Sequence, residues 1–134
     1  MSFELSQTLI TNYIEELEWG TAAQVAFSRF DSCMGLLGRR GNNVTGVHLV
    51  MAADRFFDDQ AAALAASVVL DCNEVAVIGN VNTWAGNLPG PFNVMRQLIG
   101  GAWSLKTDRG RGNYGGRVQG GVLQYSYNGI WYNN

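Results

Sequence analysis

Cys33 and His48 are the residues of this sequence best suited to covalent chemistry. His48 is the only histidine, and it follows Cys33 by 15 positions across a predicted reversal of the chain. An imidazole beside a thiol lowers the pKa of the thiol and accepts its proton, so such a pair is the minimum equipment for acyl transfer. A third group usually orients the imidazole, and the local candidates are Ser28, Thr45 and Asp31.

The same pair has a purely structural explanation. Unpaired cysteines are among the most buried residue types, and a single histidine in a strand is commonly a hydrogen-bonded core residue. Spacing alone favours this structural role, and a catalytic role needs support from the rest of the sequence.

Two predicted strands position the pair. Polar and apolar residues alternate over 22–30 and again over 44–51, as is typical of half-buried strands. Between them, a short segment over 31–37 is followed by residues 38–43, which are rich in glycine and asparagine and predict a turn. We therefore expect antiparallel neighbours that bring Cys33 close to His48.

The remaining elements are predicted from periodicity, caps and turn residues. Apolar residues at helical spacing predict an N-terminal helix that begins near Leu5 and ends at Gly20. The further predictions are a helix over about 59–71 capped by Asp58 or Asp59, a strand over 74–81, a loop over 80–91, a short helix from Pro91 to about Gly100, a strand over 103–107, and a C-terminal hairpin turning at Asn128–Gly129.

Length and composition predict one domain over residues 1–134, in which 1–21 form the N-terminal helix. The 134 residues are 47% hydrophobic and 15% charged, which is enough apolar material for one core. Strands that alternate with helices predict an α/β or α+β fold, a layered sandwich of mixed β-sheet with two or three helices. The composition excludes two independent enzyme domains and a disordered chain.

Charge and cysteine content limit the partners and the compartment. A net charge of −2 and a single lysine leave no basic field for a phosphate backbone, so we expect no nucleic-acid partner. The longest apolar run is ten residues, Ala61 to Leu70, about half of the ~20 that span a bilayer, so we expect no membrane insertion. Two cysteines, and glutamates ahead of the first basic residue, favour the cytoplasm over export.

Neither a metal nor a cofactor is expected. Asp54, Asp58 and Asp59 match no metal-loop spacing, and acidic residues at the start of a helix are explained by the helix dipole.

Six short segments form one ordered pattern from about residue 24 onwards: Ser28–Met34, which contains Cys33; Thr45–Ala52, which contains His48; Val75–Trp84; Asn93–Val94; Leu105–Asp108; and Gly116–Val118. In order and spacing they resemble the CheD family of chemoreceptor glutamine deamidases. Family members typically carry a strand that ends in Gly-Ser-Cys-Val and, after a hairpin, a strand that reads roughly Gly-Gly-Met-x-His-Phe-Met-Leu-Pro. Asp31 stands where the family has glycine.

The resemblance implies a CheD-like fold and hydrolysis of a glutamine side-chain amide on a protein. Cys33 would be the nucleophile, His48 the acid and base, and Ser28 the orienting group. The substrate cleft would include Ser32, Asn80, Asn82 and Trp84. The implied partners are a chemoreceptor or another protein with an exposed glutamine, and a regulatory protein.

Two other functions fit the same residues. The first is a toxin or effector deamidase similar to the cytotoxic necrotizing factors, delivered into a target cell to act on a host or rival protein; the altered residues around Cys33 favour it. The second is a non-catalytic protein-binding module on the same scaffold, because fold does not imply function. A cysteine peptidase uses the same pair, but this chain offers little sequence for an extended groove.

Overall fold

The apolar segments of the chain form strands and helices in an α+β order. The structure is a computed structural model, and it describes residues 4–52 and 56–133. The elements of these residues are β1 (Ser6–Gln7), β2 (Glu18–Ala22), β3 (Gln24–Ala26), β4 (Met34–Arg40), β5 (Asn43–Leu49), α1 (Asp59–Val68), β6 (Glu74–Gly79), α2 (Val81–Asn87), α3 (Pro89–Ile99), a 3₁₀ turn (Gly100–Ala102), β7 (Trp103–Lys106), β8 (Tyr114–Gln119), β9 (Val122–Tyr127) and β10 (Ile130–Asn133).

The strands associate into a large and a small sheet. The large sheet has the order β1-β2-β5-β4-β6-β7, with parallel pairing at both ends and antiparallel pairing between them. The small sheet has the order β10-β9-β8-β3 and is antiparallel. β5 and β4 lie at the centre, and Met34–Gly38 of β4 and Val75–Gly79 of β6 are buried, because both faces of the large sheet are covered there.

Glycines show how closely the layers pack. A Cβ added to Gly116 of the small sheet would lie 2.6 Å from the side chain of Leu37, on one face of β4. On the opposite face of β4, a Cβ on Gly38 would lie 2.5 Å from Sγ of Cys72 and 2.9 Å from Val69, beside α1. These contacts confirm the predicted α+β class and its layered arrangement of mixed sheet and helices. No helix in the described part of the chain has the length and apolar character that would let it cross a membrane.

Several predicted elements are confirmed. The helix expected from residue 59 is α1, and the Asp58 side chain caps it by accepting the Ala61 amide at 2.9 Å; Asp54 lies outside the described residues. The C-terminal hairpin turns at Asn128 and Gly129, both of which have positive φ, as expected of an Asn-Gly turn.

The predicted N-terminal helix is wrong. Residues 6–7 and 18–22 are strands, and the turns between them leave Leu9 91% and Ile10 64% exposed. Ile14 explains the difference, because its amide donates to the Ala26 carbonyl and its own carbonyl accepts the Ser28 amide. Backbone pairing with a distant segment replaces the i to i−4 bonds that a helix would need.

Three other boundaries also differ from the prediction. The strand predicted over 22–30 is divided between β2 and β3, which belong to different sheets. The turn predicted over 38–43 is confined to Gly41 and Asn42, because Gly38–Arg40 continue β4. The loop predicted over 80–91 contains α2.

Candidate active site

The hairpin of β4 and β5 determines where Cys33 and His48 lie. Cys33 immediately precedes β4, and Gly35 of β4 pairs with His48 of β5. Because alternate residues of a strand point to the same face, Cys33 and His48 share the face of the large sheet that meets the small sheet. Sγ of Cys33 and a ring nitrogen of His48 lie within 4.8 Å of each other. Cys33 is 3% exposed and His48 is fully buried.

Aromatic packing holds the imidazole in place. The ring of Phe30 has its centroid 4.5 Å from that of His48, and the Phe27 ring meets His48 edge-on at 5.6 Å. Gly35 makes room for this arrangement, because a Cβ there would lie 2.9 Å from Cζ of Phe30. The orientation of His48 is thus fixed by close-packed neighbours as well as by hydrogen bonds.

The hydrogen bonds of His48 define its tautomer. Nδ1 lies 2.9 Å from the Ile14 carbonyl oxygen, and because a carbonyl only accepts, Nδ1 carries the proton and Nε2 the free lone pair. Ser28 Oγ lies farther from Nδ1, at 3.4 Å. The backbone of Ile14 is therefore the main orienting group, and Ser28 is an additional one.

His48 is neutral in this environment. Burial lowers its pKa, while the hydrogen bond to Ile14 and the charges of Glu16 and Glu18 act in the opposite direction. Nε2 is buried, and no described residue provides a hydrogen-bond partner for it. A neutral imidazole with a free lone pair is the form that a general base requires.

Glu16 contacts the thiol directly. Sγ of Cys33 donates to Oε2 of Glu16 at 3.3 Å. Burial, followed by this hydrogen bond and the charge of Glu16, raises the pKa of Cys33 to about 12; a backbone hydrogen bond from Asp31 lowers it by less. The sequence analysis predicts that His48 lowers the pKa of the thiol. That prediction is wrong for this arrangement, because the pKa of Cys33 is raised. The resting site holds a neutral thiol beside a neutral imidazole.

A polar surface depression adjoins these side chains. It has a volume of about 490 Å³ and is lined by Tyr13, Glu15, Glu16, Ser28, Arg29 and Asp31. Glu16 and Ser28 belong both to this depression and to the contacts around Cys33 and His48. A second molecule that enters the depression meets Glu16 and Ser28, which contact the buried pair, whereas Cys33 and His48 do not themselves line it.

Comparison of the chain with protein-family models, with curated proteins and with solved structures finds no match.

Asn80 and Trp84 hold the segment that carries Cys33. Nδ2 of Asn80 donates to the carbonyl oxygens of Asp31 and Cys33, at 3.0 Å each. The backbone N–H of Asn80 also donates to the Cys33 carbonyl oxygen, at 3.1 Å. Nε1 of Trp84 donates to the Ser32 carbonyl at 2.9 Å. The two side chains fix the backbone on both sides of the thiol.

The other residues predicted for the cleft have different positions. Trp84 is fully buried and packs on Phe57, so it supports the site from the core and does not line a cleft. Asn82 is exposed on α2, where its backbone N–H donates to Oδ1 of Asp108. No contact of its side chain with Cys33 or His48 is observed in the described residues. Ser32 is exposed next to Cys33.

Thr45 does not orient His48. Its hydroxyl lies 2.7 Å from that of Thr21, across the pair of β2 and β5.

Glu16 and the Ile14 carbonyl were missed by the sequence analysis. The sequence analysis assigned Glu16 to the predicted N-terminal helix, whereas the structure places it in the turn directly before β2.

Three ligand types meet at this point. A carboxylate oxygen of Glu16, Sγ of Cys33 and a ring nitrogen of His48 all lie within 4.8 Å of one another. Together they can support either nucleophilic chemistry at sulfur or coordination of a metal ion.

Proposed function

We propose that the chain is a cysteine-dependent hydrolase that converts a glutamine side-chain amide of another protein to a carboxylate. The observation that carries the proposal is the approach of Sγ of Cys33 and a ring nitrogen of His48 within 4.8 Å, with His48 held in one tautomer. The resemblance of the segments around both residues to the CheD deamidases supports the choice of substrate.

The reaction begins from the neutral pair. As Sγ attacks the amide carbon, the thiol proton passes to His48, and the oxygen of the tetrahedral intermediate becomes negative. His48 then returns the proton to the departing nitrogen, ammonia leaves, and a thioester remains. Water attacks the thioester with His48 as base, which releases glutamate and restores the thiol. One amide and one water are consumed, and one carboxylate and one ammonium ion are formed once ammonia has taken up the proton of the new acid.

Glu16 controls access to the thiol in this mechanism. Its carboxylate is exposed and accepts the hydrogen bond of Cys33, so it holds the thiol proton in the resting protein. The NH₂ group of an incoming glutamine is a donor that can take over this carboxylate. Substrate binding would then free Sγ from Glu16 and lower the pKa of the thiol when it is needed.

The depression has room for a side-chain amide. It is polar, and its volume of about 490 Å³ is ample for one glutamine side chain. The protein substrate is a chemoreceptor or another protein with an exposed glutamine, and a regulatory protein is a further partner. The site of action is the cytoplasm, or a target cell if the chain is a delivered effector.

Conversion of glutamine in intact proteins tests the proposal. A cell extract is incubated in ¹⁸O-water with wild type or with Cys33→Ala, and peptides are then analysed by mass spectrometry. Glutamate that carries ¹⁸O at former glutamine positions, with wild type only, supports hydrolysis by Cys33. Equal labelling with both proteins contradicts it.

One observation favours a second function, that of a non-catalytic binding module. A buried thiol with a pKa of about 12 is an inert form of cysteine. In that case His48 is a core residue that satisfies the Ile14 carbonyl, and the depression binds a protein side chain without reaction. The labelling experiment separates the two functions, because a binding module converts no glutamine.

A further inference from the structure

We propose that Glu16, Cys33 and His48 form a three-ligand site for Zn²⁺, whose occupation blocks the thiol. The zinc site itself does not depend on the deamidase proposal, because it concerns the affinity of the same side chains for a metal ion, whereas inhibition by zinc rests on that proposal. It goes beyond that proposal because it adds a ligand that competes with the substrate.

The three donors suit zinc. Thiolate sulfur, imidazole nitrogen and carboxylate oxygen are its usual ligands, and sites with three protein ligands keep a fourth position for water. Magnesium and calcium prefer sites made of oxygen atoms alone. A thiolate in the set therefore selects a soft ion over the abundant hard ones.

The distances agree with a tetrahedral centre. Usual zinc bond lengths separate the ligand atoms by about 3.3 to 3.8 Å. Sγ of Cys33 and Oε2 of Glu16 are already 3.3 Å apart, and all three donors lie within 4.8 Å. The contraction that remains is at most about 1.5 Å for any pair of donors, and Glu16 can supply part of it because its side chain is exposed.

His48 provides a second and independent reason. It is fully buried, yet within residues 4–52 and 56–133 Nε2 has no hydrogen-bond partner, which is costly for a polar atom. Nδ1 donates to the Ile14 carbonyl at 2.9 Å, so Nε2 has the lone pair that a metal needs. A bond from the second ring nitrogen to a backbone carbonyl is the usual support of a metal-bound histidine.

Charge also balances in the occupied site. Zn²⁺ replaces the thiol proton: the S–H bond breaks, a Zn–S bond forms, and one proton leaves to solvent. The thiolate and the Glu16 carboxylate then carry two negative charges against the two positive charges of the ion. A neutral cluster is easier to accommodate between two sheets than an isolated thiolate.

Occupation prevents reaction at sulfur. The sulfur electron pair and the Nε2 lone pair are both bound to the metal, so neither attack nor proton transfer is available. Zinc therefore acts as a reversible inhibitor, and its removal restores the thiol.

Metal binding to the purified protein tests the site without any substrate. Zn²⁺ affinity is measured by competition with a chromophoric chelator in a thiol-free reductant, for wild type, Glu16→Gln and Cys33→Ser. Glu15→Gln and Cys72→Ser are the matched controls. We expect one ion per chain and a Zn²⁺ affinity of the two controls equal to that of wild type. The two ligand variants should lose about 100-fold or more in Zn²⁺ affinity, because changes outside the ligand sphere typically cost 10- to 100-fold. Co²⁺ should give a thiolate charge-transfer band that Cys33→Ser lacks.

A second measurement covers the case in which Cys33→Ser fails to fold. In wild type, Zn²⁺ should protect Cys33 from iodoacetamide and leave Cys72 unprotected, as read by mass spectrometry, while Mg²⁺ should protect neither. Zinc binding that is absent, or equally strong in Glu16→Gln, or without protection of Cys33, overturns the proposal.

Discussion

Replacement of Glu16 by glutamine should make the Cys33 thiol more reactive. Glu16 accepts the thiol hydrogen bond and places a negative charge beside sulfur, and both effects raise the pKa of Cys33. The Glu16 side chain is exposed, so its replacement by a neutral side chain of equal size leaves the packing of both sheets intact. The substitution therefore tests the electrostatics of the site and not its folding.

The pKa of Cys33 sets an upper limit to the increase in its alkylation rate. At pH 8 a thiol with a pKa of about 12 is thiolate in about one part in 10⁴, against about one in 10 at the ordinary value of 9.0. Complete relief would thus raise the thiolate fraction about 1000-fold. Because thiolate nucleophilicity falls with pKa at a slope of about 0.4 to 0.5, the rate gain would be about 30- to 60-fold. Burial is the largest cause and remains, so we expect about three- to tenfold.

Site-resolved alkylation measures the effect. Wild type, Glu16→Gln and the control Glu15→Gln react with iodoacetamide at pH 8, and the rate at Cys33 is divided by the rate at Cys72 in the same sample. Glu16→Gln should raise this ratio, and Glu15→Gln should leave it unchanged. A ratio that is unchanged or lower in Glu16→Gln would refute the role given to this carboxylate.

Three further predictions concern stability. Burial lowers the pKa of His48, so the unfolded chain binds a proton before the folded chain does as the pH falls. Below pH 6.5 the free energy of unfolding of wild type should therefore fall by up to about 1.4 kcal/mol per pH unit. Urea titrations should show a flatter dependence on pH for His48→Gln, and equal pH profiles would argue against a neutral buried imidazole. Gly35→Ala places a Cβ 2.9 Å from Phe30 and should lower the free energy of unfolding by about 1 to 3 kcal/mol in denaturant titrations; an unchanged value would show that the ring is loosely held. Asn80→Ala removes the bonds to Asp31 and Cys33 and should cost about 1 to 3 kcal/mol in the same assay, with no loss expected only if solvent replaces both bonds.

The pairing of Cys33 with His48 was accessible to sequence analysis because it is local. Turn residues at 41–42 join two apolar strands, and a short hairpin with alternating faces leaves few ways to arrange them. The helix after Asp58 and the Asn128–Gly129 turn were predicted for the same reason. Each has its cap or turn residues within a few positions of the element.

The surroundings of the pair could not be predicted from the sequence, because they depend on hydrogen bonds between backbone segments that are distant in the chain. The segment around Ile14 has a helical apolar pattern, but its hydrogen bonds go to Ala26 and Ser28, and tertiary contacts override the local preference. Glu16 reaches Cys33 only as a consequence of that pairing. The predicted direction of the pKa shift of Cys33 was therefore wrong. Burial and the Glu16 carboxylate raise this pKa, and Glu16 belongs to the segment that was assigned to a helix.

The role of Asn80 could be foreseen only in part. The resemblance to the CheD family implies a place for Asn80 in the cleft, but its function as a clamp on the backbone of Asp31 and Cys33 depends on the order of β4 and β6 in the sheet.

Ammonia release from a capped glutamine dipeptide tests the central claim most directly. Wild type, Cys33→Ala, His48→Ala and the control Cys72→Ala are incubated with the glutamine dipeptide and with its asparagine analogue in a metal-free buffer, after circular dichroism has shown that each is folded. The account predicts ammonia from the glutamine compound with wild type and Cys72→Ala, and none with Cys33→Ala or His48→Ala. Equal release by wild type and Cys33→Ala, whether both are active or both silent, would contradict it.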